Sequence, residues 1–150
     1  NENTVAILTE KAALDNGKQI YVANCVPCHG NNGEGTVGPN LTDQFWIHGG
    51  GIKNVFKTIK YGVPAKGMIA WQNQFNPKSM QEVSSYVLSL QGTNPPNGKA
   101  PEGQPYVEAA TDSVKAGKDT LKSKTDSVKV SGVKKDSVMS KDGAAKDTAK

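Results

Sequence analysis

The chain has 150 residues, of which 35% are hydrophobic, and its 18 lysines against 14 acidic residues give a net charge of +4. This length is sufficient for one ordinary domain with a core of its own. The chain contains no arginine, so the side chain best suited to binding phosphates and base edges is missing, and nucleic acid is not an expected partner.

The aromatic residues divide the chain into a folded part and a tail. Residues 1–91 contain both tryptophans and all three phenylalanines, whereas Tyr106 is the single aromatic residue after them. We predict a folded domain at 1–91, a Pro/Gly-rich linker at 92–106, and a Lys/Asp/Ser-rich repetitive tail at 107–150 that is largely disordered or transiently helical.

Three helices are predicted in chain order. Leu14, Gly17 and Tyr21 share one helical face in "LDNGKQIYVANC". After a Gly/Asn-rich loop, "LTDQFW" at 41–46 is compatible with a short helical turn. The buried stripes of the second and third helices are Ile52, Val55, Phe56 and Ile59, then Met80, Val83, Val87 and Leu90.

The third helix has a clear start signal, with Asn76 as its N-cap and Pro77 at its first position. No segment alternates well enough to predict a strand. The sequence therefore predicts a small all-α domain with long loops.

The motif "CVPCH" contains both cysteines of the chain, Cys25 and Cys28, followed at once by His29. This spacing lets two thiols bond to the vinyl groups of one haem while the imidazole binds its iron. Covalent attachment also suits a small, loop-rich chain that has little core with which to enclose so large a ring. We therefore predict one covalently bound haem c.

Two other chemistries use the same residues. A redox disulfide of the thioredoxin type requires a βαβ context, and the flanking sequence shows no strands. A zinc site could combine Cys25, Cys28, His29 and His48, but the adjacency of Cys28 and His29 makes a tetrahedral shell awkward. The haem interpretation is favoured over both.

A haem iron that carries electrons needs a sixth ligand, and Met68 is the preferred candidate because it lies in a glycine-containing loop between two helices. His48 is the alternative, since imidazole also binds haem iron. Met80 lies on the apolar stripe of the last helix, which favours a core position, and Met139 lies far away in the tail.

These residues carry a family resemblance. "GKQIYVANCVPCHGNNGEG", "GPNLTD" and a methionine loop resemble class I cytochromes c. More narrowly, "GPNLTDQFWIHGG", "TIKYGVPAKGMIAW" and "VSSYVLSLQG" resemble the C-terminal cytochrome domain of cbb3-type cytochrome c oxidase subunit III, over roughly residues 10–100. The resemblance implies a small class I cytochrome c fold of three to five helices around one covalently attached haem.

The resemblance also implies roles for individual residues. Cys25 and Cys28 would form the thioether links, His29 would be the proximal ligand of the iron and Met68 its distal ligand. The Pro39 carbonyl would accept a hydrogen bond from the His29 ring, and Gly17 would face Tyr86 where the first helix crosses the last.

Trp46 and Trp71 would lie near the haem, and His48 would fall in a "WxHGG"-like stretch. Many relatives have Met-Pro where this chain has Met68 and Ile69.

The function implied is one-electron transfer in aerobic or microaerobic respiration, on the periplasmic side of the bacterial cytoplasmic membrane. The isolated domain would catalyse nothing, and would work within an oxidoreductase complex. Expected partners are the other subunits of a terminal oxidase or a respiratory donor such as a quinol-oxidising complex. The alternatives are a freely diffusing periplasmic shuttle, or a haem enzyme or sensor with an open sixth position.

No apolar run in the sequence approaches the roughly eighteen residues that span a bilayer. Because the first residue is Asn1 and not methionine, we expect a processed or trimmed chain. Membrane proximity would then come from a missing anchor or from partner subunits.

Overall fold

The computed structural model describes residues 1–107, so the predicted tail lies outside the described residues except for Val107. Four α-helices form the domain: α1 (Lys11–Asn24), α2 (Val26–His29), α3 (Gly51–Tyr61) and α4 (Pro77–Ser89). Two 3₁₀ turns, Pro64–Lys66 and Trp71–Asn73, lie between α3 and α4. None of the helices in residues 1–107 is long and apolar enough to cross a membrane.

The crossing of α1 and α4 is the main packing contact of the fold, and it depends on Gly17. A Cβ atom at this position would lie 2.2 Å from the Glu82 carbonyl oxygen and 2.8 Å from Tyr86 Cβ. Only glycine lets the two backbones approach so closely. Beside it the rings of Tyr21 and Tyr86 pack at a centroid distance of 5.4 Å. Gly17 therefore lies at the helix crossing, as the family resemblance implied.

The core consists mainly of the predicted helical stripes, joined by Val5 and Leu88, while Ile52 of the second stripe is half-buried. Burial of these side chains removes their apolar surface from water and holds α3 against α4. Asn76 caps α4, since its Oδ1 accepts a hydrogen bond from the Ser79 amide at 2.9 Å. The buried hydrophobic residues among the described ones are Val5, Tyr21, Val55, Phe56, Ile59, Met80, Val83, Val87, Leu88 and Leu90.

The N-terminal segment before α1 is fixed to α3 by Glu2. Its carboxylate accepts hydrogen bonds from Lys60 Nζ at 2.9 Å and from the Tyr61 hydroxyl at 2.8 Å. Together with the backbone amide of Glu2, which has the largest effect, these donors lower the pKa of the Glu2 carboxyl to about 2. The segment therefore carries an ionised carboxylate over the whole neutral and mildly acidic range.

Two short strands were not predicted. β1 (Phe45–Trp46) pairs antiparallel with β2 (Gln104–Pro105), with Trp46 opposite Gln104. The predicted helical turn at 41–46 is therefore wrong, because its last two residues are extended and pair with a distant segment. A strand of two residues has no alternation that a sequence pattern could show.

The Pro/Gly-rich segment 92–106 is in contact with the domain. The Lys99 amide donates to the Glu34 carbonyl at 2.8 Å, and the Tyr106 amide donates to the Gln44 carbonyl at the same distance. The segment therefore returns across the loops that follow α2.

Candidate functional site

The CVPCH motif lies at the junction of α1 and α2, where one helical turn leads directly into the next. The Cys25 amide donates to the Tyr21 carbonyl at 2.8 Å, and the His29 amide donates to the Cys25 carbonyl at 2.9 Å. Of the two cysteines, Cys25 is half-buried and Cys28 is exposed. Burial, with a smaller effect from Cys28, raises the pKa of the Cys25 thiol to about 11.

The His29 ring is oriented by a backbone carbonyl. Its Nδ1 lies 3.0 Å from the Pro39 oxygen. A carbonyl oxygen can only accept, so Nδ1 carries the hydrogen and Nε2 of the neutral ring keeps its lone pair. Burial lowers the pKa of His29, the charge of Lys99 adds to this effect, and the hydrogen bond to Pro39 opposes it. The ring thus favours the neutral form that binds a metal ion.

The loop that holds Pro39 needs a glycine beside the imidazole. A Cβ atom on Gly38 would lie 2.7 Å from Cε1 and 2.9 Å from Nδ1 of His29. The Gly38 amide also donates to the Cys28 carbonyl at 2.8 Å, and the Gly35 amide donates to the His29 carbonyl at 2.8 Å. The loop is therefore tied to the backbone of the motif that it covers.

A cavity of about 750 Å³ opens beside the motif. Its size lies in the range of cofactor sites, and its lining is mainly apolar. It brings together residues that are far apart in sequence. Every site residue that the sequence predicted lines it: Cys25, Cys28, His29, Pro39, Trp46, His48, Met68 and Trp71.

The two candidates for the sixth ligand differ in how firmly they are held. Met68 is half-buried against the core, and its backbone pairs with Val63 through hydrogen bonds of 2.8 and 3.2 Å. His48 also lines the cavity, but it is exposed. The backbone bridge between Val63 and Met68 thus fixes the loop. It does so although the residue after Met68 is Ile69 and not a proline.

The two tryptophans contribute different features to the cavity wall. Trp71 stacks on Phe75 with a centroid distance of 4.8 Å and an interplanar angle of 4°. Trp46 Nε1 is buried and has no hydrogen-bond partner among the described residues. A buried donor without an acceptor is costly, so this atom marks a place where a bound group could supply one.

The zinc alternative is not supported by the geometry. Within residues 1–107, no three or more histidine, cysteine, aspartate or glutamate side chains form a group that could hold a metal ion. The four candidate zinc ligands therefore do not come together as such a group.

Some cavity residues were missed by the sequence interpretation. Leu41 and Phe75 line the cavity as ordinary apolar residues. Lys99, Glu102 and Gly103 also line it, although composition placed them in a linker. Tyr106, as the single aromatic residue of the region, was the available signal that this segment packs.

Comparison with curated proteins shows relatives among oxidase subunits. The chain is 39% identical over 79 residues to the cbb3-type cytochrome c oxidase subunit FixP of Bradyrhizobium diazoefficiens, covering 51% of this chain and 27% of that protein. It is 32% identical over 105 residues to the subunit CcoP of Azospirillum sp., covering 61% and 36%. The chain thus spans about a quarter to a third of the length of these relatives.

Among solved structures, the fold is similar to that of cytochrome cL from Methylophaga aminisulfidivorans. The TM-score is 0.52 at 26% sequence identity, covering 55% of this chain and 56% of that one. The family model for cytochrome c oxidase, cbb3-type, subunit III matches residues 12–87, which is half of the chain. The all-α cytochrome c fold, the cavity beside CVPCH and this match together establish that the chain belongs to the family of cbb3-type cytochrome c oxidase subunit III, and membership implies a haem c.

Proposed function

We propose that the chain holds one haem c and transfers single electrons as the cytochrome c domain of a cbb3-type terminal oxidase. Cys25 and Cys28 would form the thioether bonds, His29 would be the proximal ligand of the iron and Met68 the distal one. The observation that carries the proposal is that these four residues line the same cavity. A low-spin haem c needs two thiols for its vinyl groups, and an imidazole and a thioether as the ligands of its iron.

The residues of the cavity fit this group. The neutral His29 ring has the lone pair of Nε2 available once Nδ1 donates to the Pro39 carbonyl. The Nε1 atom of Trp46, which has no partner among the described residues, could donate a hydrogen bond to a carboxylate of the bound haem. The mainly apolar lining suits the flat face of a porphyrin.

The haem would supply the one-electron couple of its iron, and the protein residues would keep both states in one geometry. The Pro39 carbonyl holds the imidazole plane, and the Val63–Met68 bridge holds the thioether loop. Ligands that stay in place need little rearrangement when the charge of the iron changes. The apolar walls exclude water, which lets the protein set the reduction potential.

The ligand assignment is tested with the haem-loaded full chain. We expect Met68→Ala to abolish the sulfur-to-iron charge-transfer band of the oxidised protein, because the thioether is lost. His48→Ala should keep the band, and it serves as the matched control. Loss of the low-spin spectrum in His48→Ala alone would instead assign His48 as the distal ligand.

Met80→Ala tests whether an unrelated methionine affects the same band. This side chain is buried in the core, so its truncation should cost about 2–5 kcal/mol of unfolding free energy. The charge-transfer band should remain. Covalent attachment is checked by denaturing the protein, and a complete loss of haem with both thiols free would overturn the proposal.

The role in an oxidase is tested by electron transfer to a partner. The reduced full chain is mixed with a cbb3-type oxidase that lacks its own subunit III cytochrome, and haem oxidation is followed by stopped flow. Rapid oxidation with oxygen consumption supports the proposed role in the oxidase. Equal rates with several unrelated acceptors would favour the freely diffusing shuttle, and rapid carbon monoxide binding to the reduced protein would favour an enzyme or sensor.

A further inference from the structure

Residues 99–106, called the strap below, lie beyond the family-matched residues 12–87 and cross the edge of the cavity. The strap is fixed at both ends by backbone hydrogen bonds, from the Lys99 amide to Glu34 and from the Tyr106 amide to Gln44. Between these ends β2 pairs with β1, which carries Trp46. The strap is therefore a part of the cavity wall.

Glycines on both sides let the strap lie close to the domain. Gly103 has a φ of +100°, and a Cβ atom there would lie 2.4 Å from the Trp46 carbonyl. A Cβ atom on Gly50 would lie 2.4 Å from the Tyr106 ring, and one on Gly51 would lie 2.5 Å from the Tyr106 hydroxyl. These two glycines at the start of α3 thus provide the seat for the one aromatic residue of the strap.

The strap brings two opposite charges to the cavity. Lys99 Nζ lies 2.7 Å from Glu102 Oε1, and both residues line the cavity. The two side chains are partly exposed, but the Oε1 atom of Glu102 is buried. Each charge therefore lies where it can interact with a cofactor bound in the cavity, as well as with the opposite charge of the pair.

Lys99 is also tied to the loop that orients His29. Its Nζ donates to the carbonyls of Val37 and Gly38 at 3.4 Å, and its own carbonyl accepts from Asn40 Nδ2 at 3.1 Å. These contacts surround Pro39, whose carbonyl holds the imidazole. Lys99 is thus fixed on the histidine side of the cavity.

We propose that the strap is an element of the cofactor site, and that its Lys99 and Glu102 charges shift the reduction potential of the iron in opposite directions. The inference rests on the proposed function. Oxidation adds one positive charge at the iron, so a fixed cation in the cavity wall disfavours the oxidised state and a fixed anion favours it. The two members of the pair must therefore act with opposite sign.

The test is a redox titration of the haem-loaded full chain. Lys99→Gln leaves the Glu102 carboxylate without its cation and should lower the midpoint potential, whereas Glu102→Gln should raise it. The double variant should return close to the wild-type value. Lys18→Gln and Glu10→Gln make the same charge changes at exposed positions outside the cavity lining and should leave the potential nearly unchanged.

A purely structural role of the strap gives a different pattern. Shifts of the same direction in Lys99→Gln and Glu102→Gln, or shifts no larger than those of the two controls, would overturn the proposal. Absence of covalent haem from the wild-type chain would overturn the proposed function. Failure of the strap proposal is a different result, because the titration is carried out on protein that contains bound haem.

A second variant tests whether the strap is docked. Tyr106→Ala removes the ring from its glycine seat, and we expect faster cleavage between residues 99 and 106 by limited proteolysis of the full chain. The same variant should abolish the opposite shifts produced by Lys99→Gln and Glu102→Gln. Unchanged cleavage together with unchanged shifts would show that Tyr106 does not hold the strap.

Discussion

Replacing Gly17 with alanine sets two effects of opposite sign against each other. Helix propensity alone favours alanine over glycine in the interior of a helix by about 1 kcal/mol. The new Cβ atom, however, would lie 2.2 Å from the Glu82 carbonyl oxygen and 2.7 Å from its carbonyl carbon. Backbone atoms cannot rotate away as a side chain can, so α1 and α4 must separate.

The cost of that separation can be set from ordinary contact distances. Heavy atoms at optimal contact lie about 3.5–4.0 Å apart, so the helices must move by roughly 1 Å or more. Such overpacking costs about 1–3 kcal/mol, and the loss of the Tyr21–Tyr86 contact places this case at the upper end. Subtracting the propensity gain leaves an expected loss of about 2 kcal/mol in the free energy of unfolding.

The assay is denaturant unfolding of the haem-loaded chain followed by far-ultraviolet circular dichroism. Gln19→Gly, at an exposed position of the same helix, measures the local cost of glycine and should destabilise by about 1 kcal/mol. If Gly17→Ala stabilises the protein by that amount, the close crossing of α1 and α4 is refuted. The outcome also bears on the site, because α1 leads directly into the CVPCH turn.

Two further predictions concern the loop of the site and the N-terminal segment. Gly38→Ala should displace the His29 ring, cost about 1–3 kcal/mol of unfolding free energy and weaken the low-spin spectrum. The control is Gly98→Ala, whose Cβ atom would meet only the Asn40 side chain and a more distant carbonyl, and which should change neither the stability nor the spectrum. Equal behaviour of the two variants would contradict the close contact between Gly38 and His29. Because the pKa of Glu2 is lowered to about 2, its stabilising effect should be complete above its unfolded pKa of about 4.3 and should be lost as the pH falls towards 2. The stability difference between wild type and Glu2→Gln, measured from pH 7 to pH 2, should shrink over that window, and a difference that stays constant would show that the carboxylate makes no such contacts.

The helical part of the fold was predictable because its information is local and periodic. The stripe from Met80 to Leu90 repeats at helical spacing, and its members are buried. Asn76 and Pro77 mark the start of α4 in the sequence and in the structure. The CVPCH motif is equally local, since two thiols and an imidazole within five residues define a chemistry before any fold is known.

The cavity wall was only partly predictable. Met68 was predicted because it lies in a loop between two recognisable helices, whereas Trp71 was predicted from the family resemblance. The pairing of Trp46 with Gln104 joins residues far apart in sequence through strands of two residues, and no period marks such an element. The prolines of 92–106 are typical of a linker, so composition favoured the wrong environment for Lys99 and Glu102.

The strap changes where the functional domain ends. A boundary after residue 91 would separate Lys99 and Glu102 from the cavity that they line, and would leave Gly50 and Gly51 without the Tyr106 side chain that they accommodate. We therefore propose that the electron-transfer unit extends to Tyr106. In this proposal the CVPCH motif would attach the cofactor and Met68 would complete the ligation of its iron. The strap would then add the opposite charges of Lys99 and Glu102 to a cavity wall that already includes Lys66.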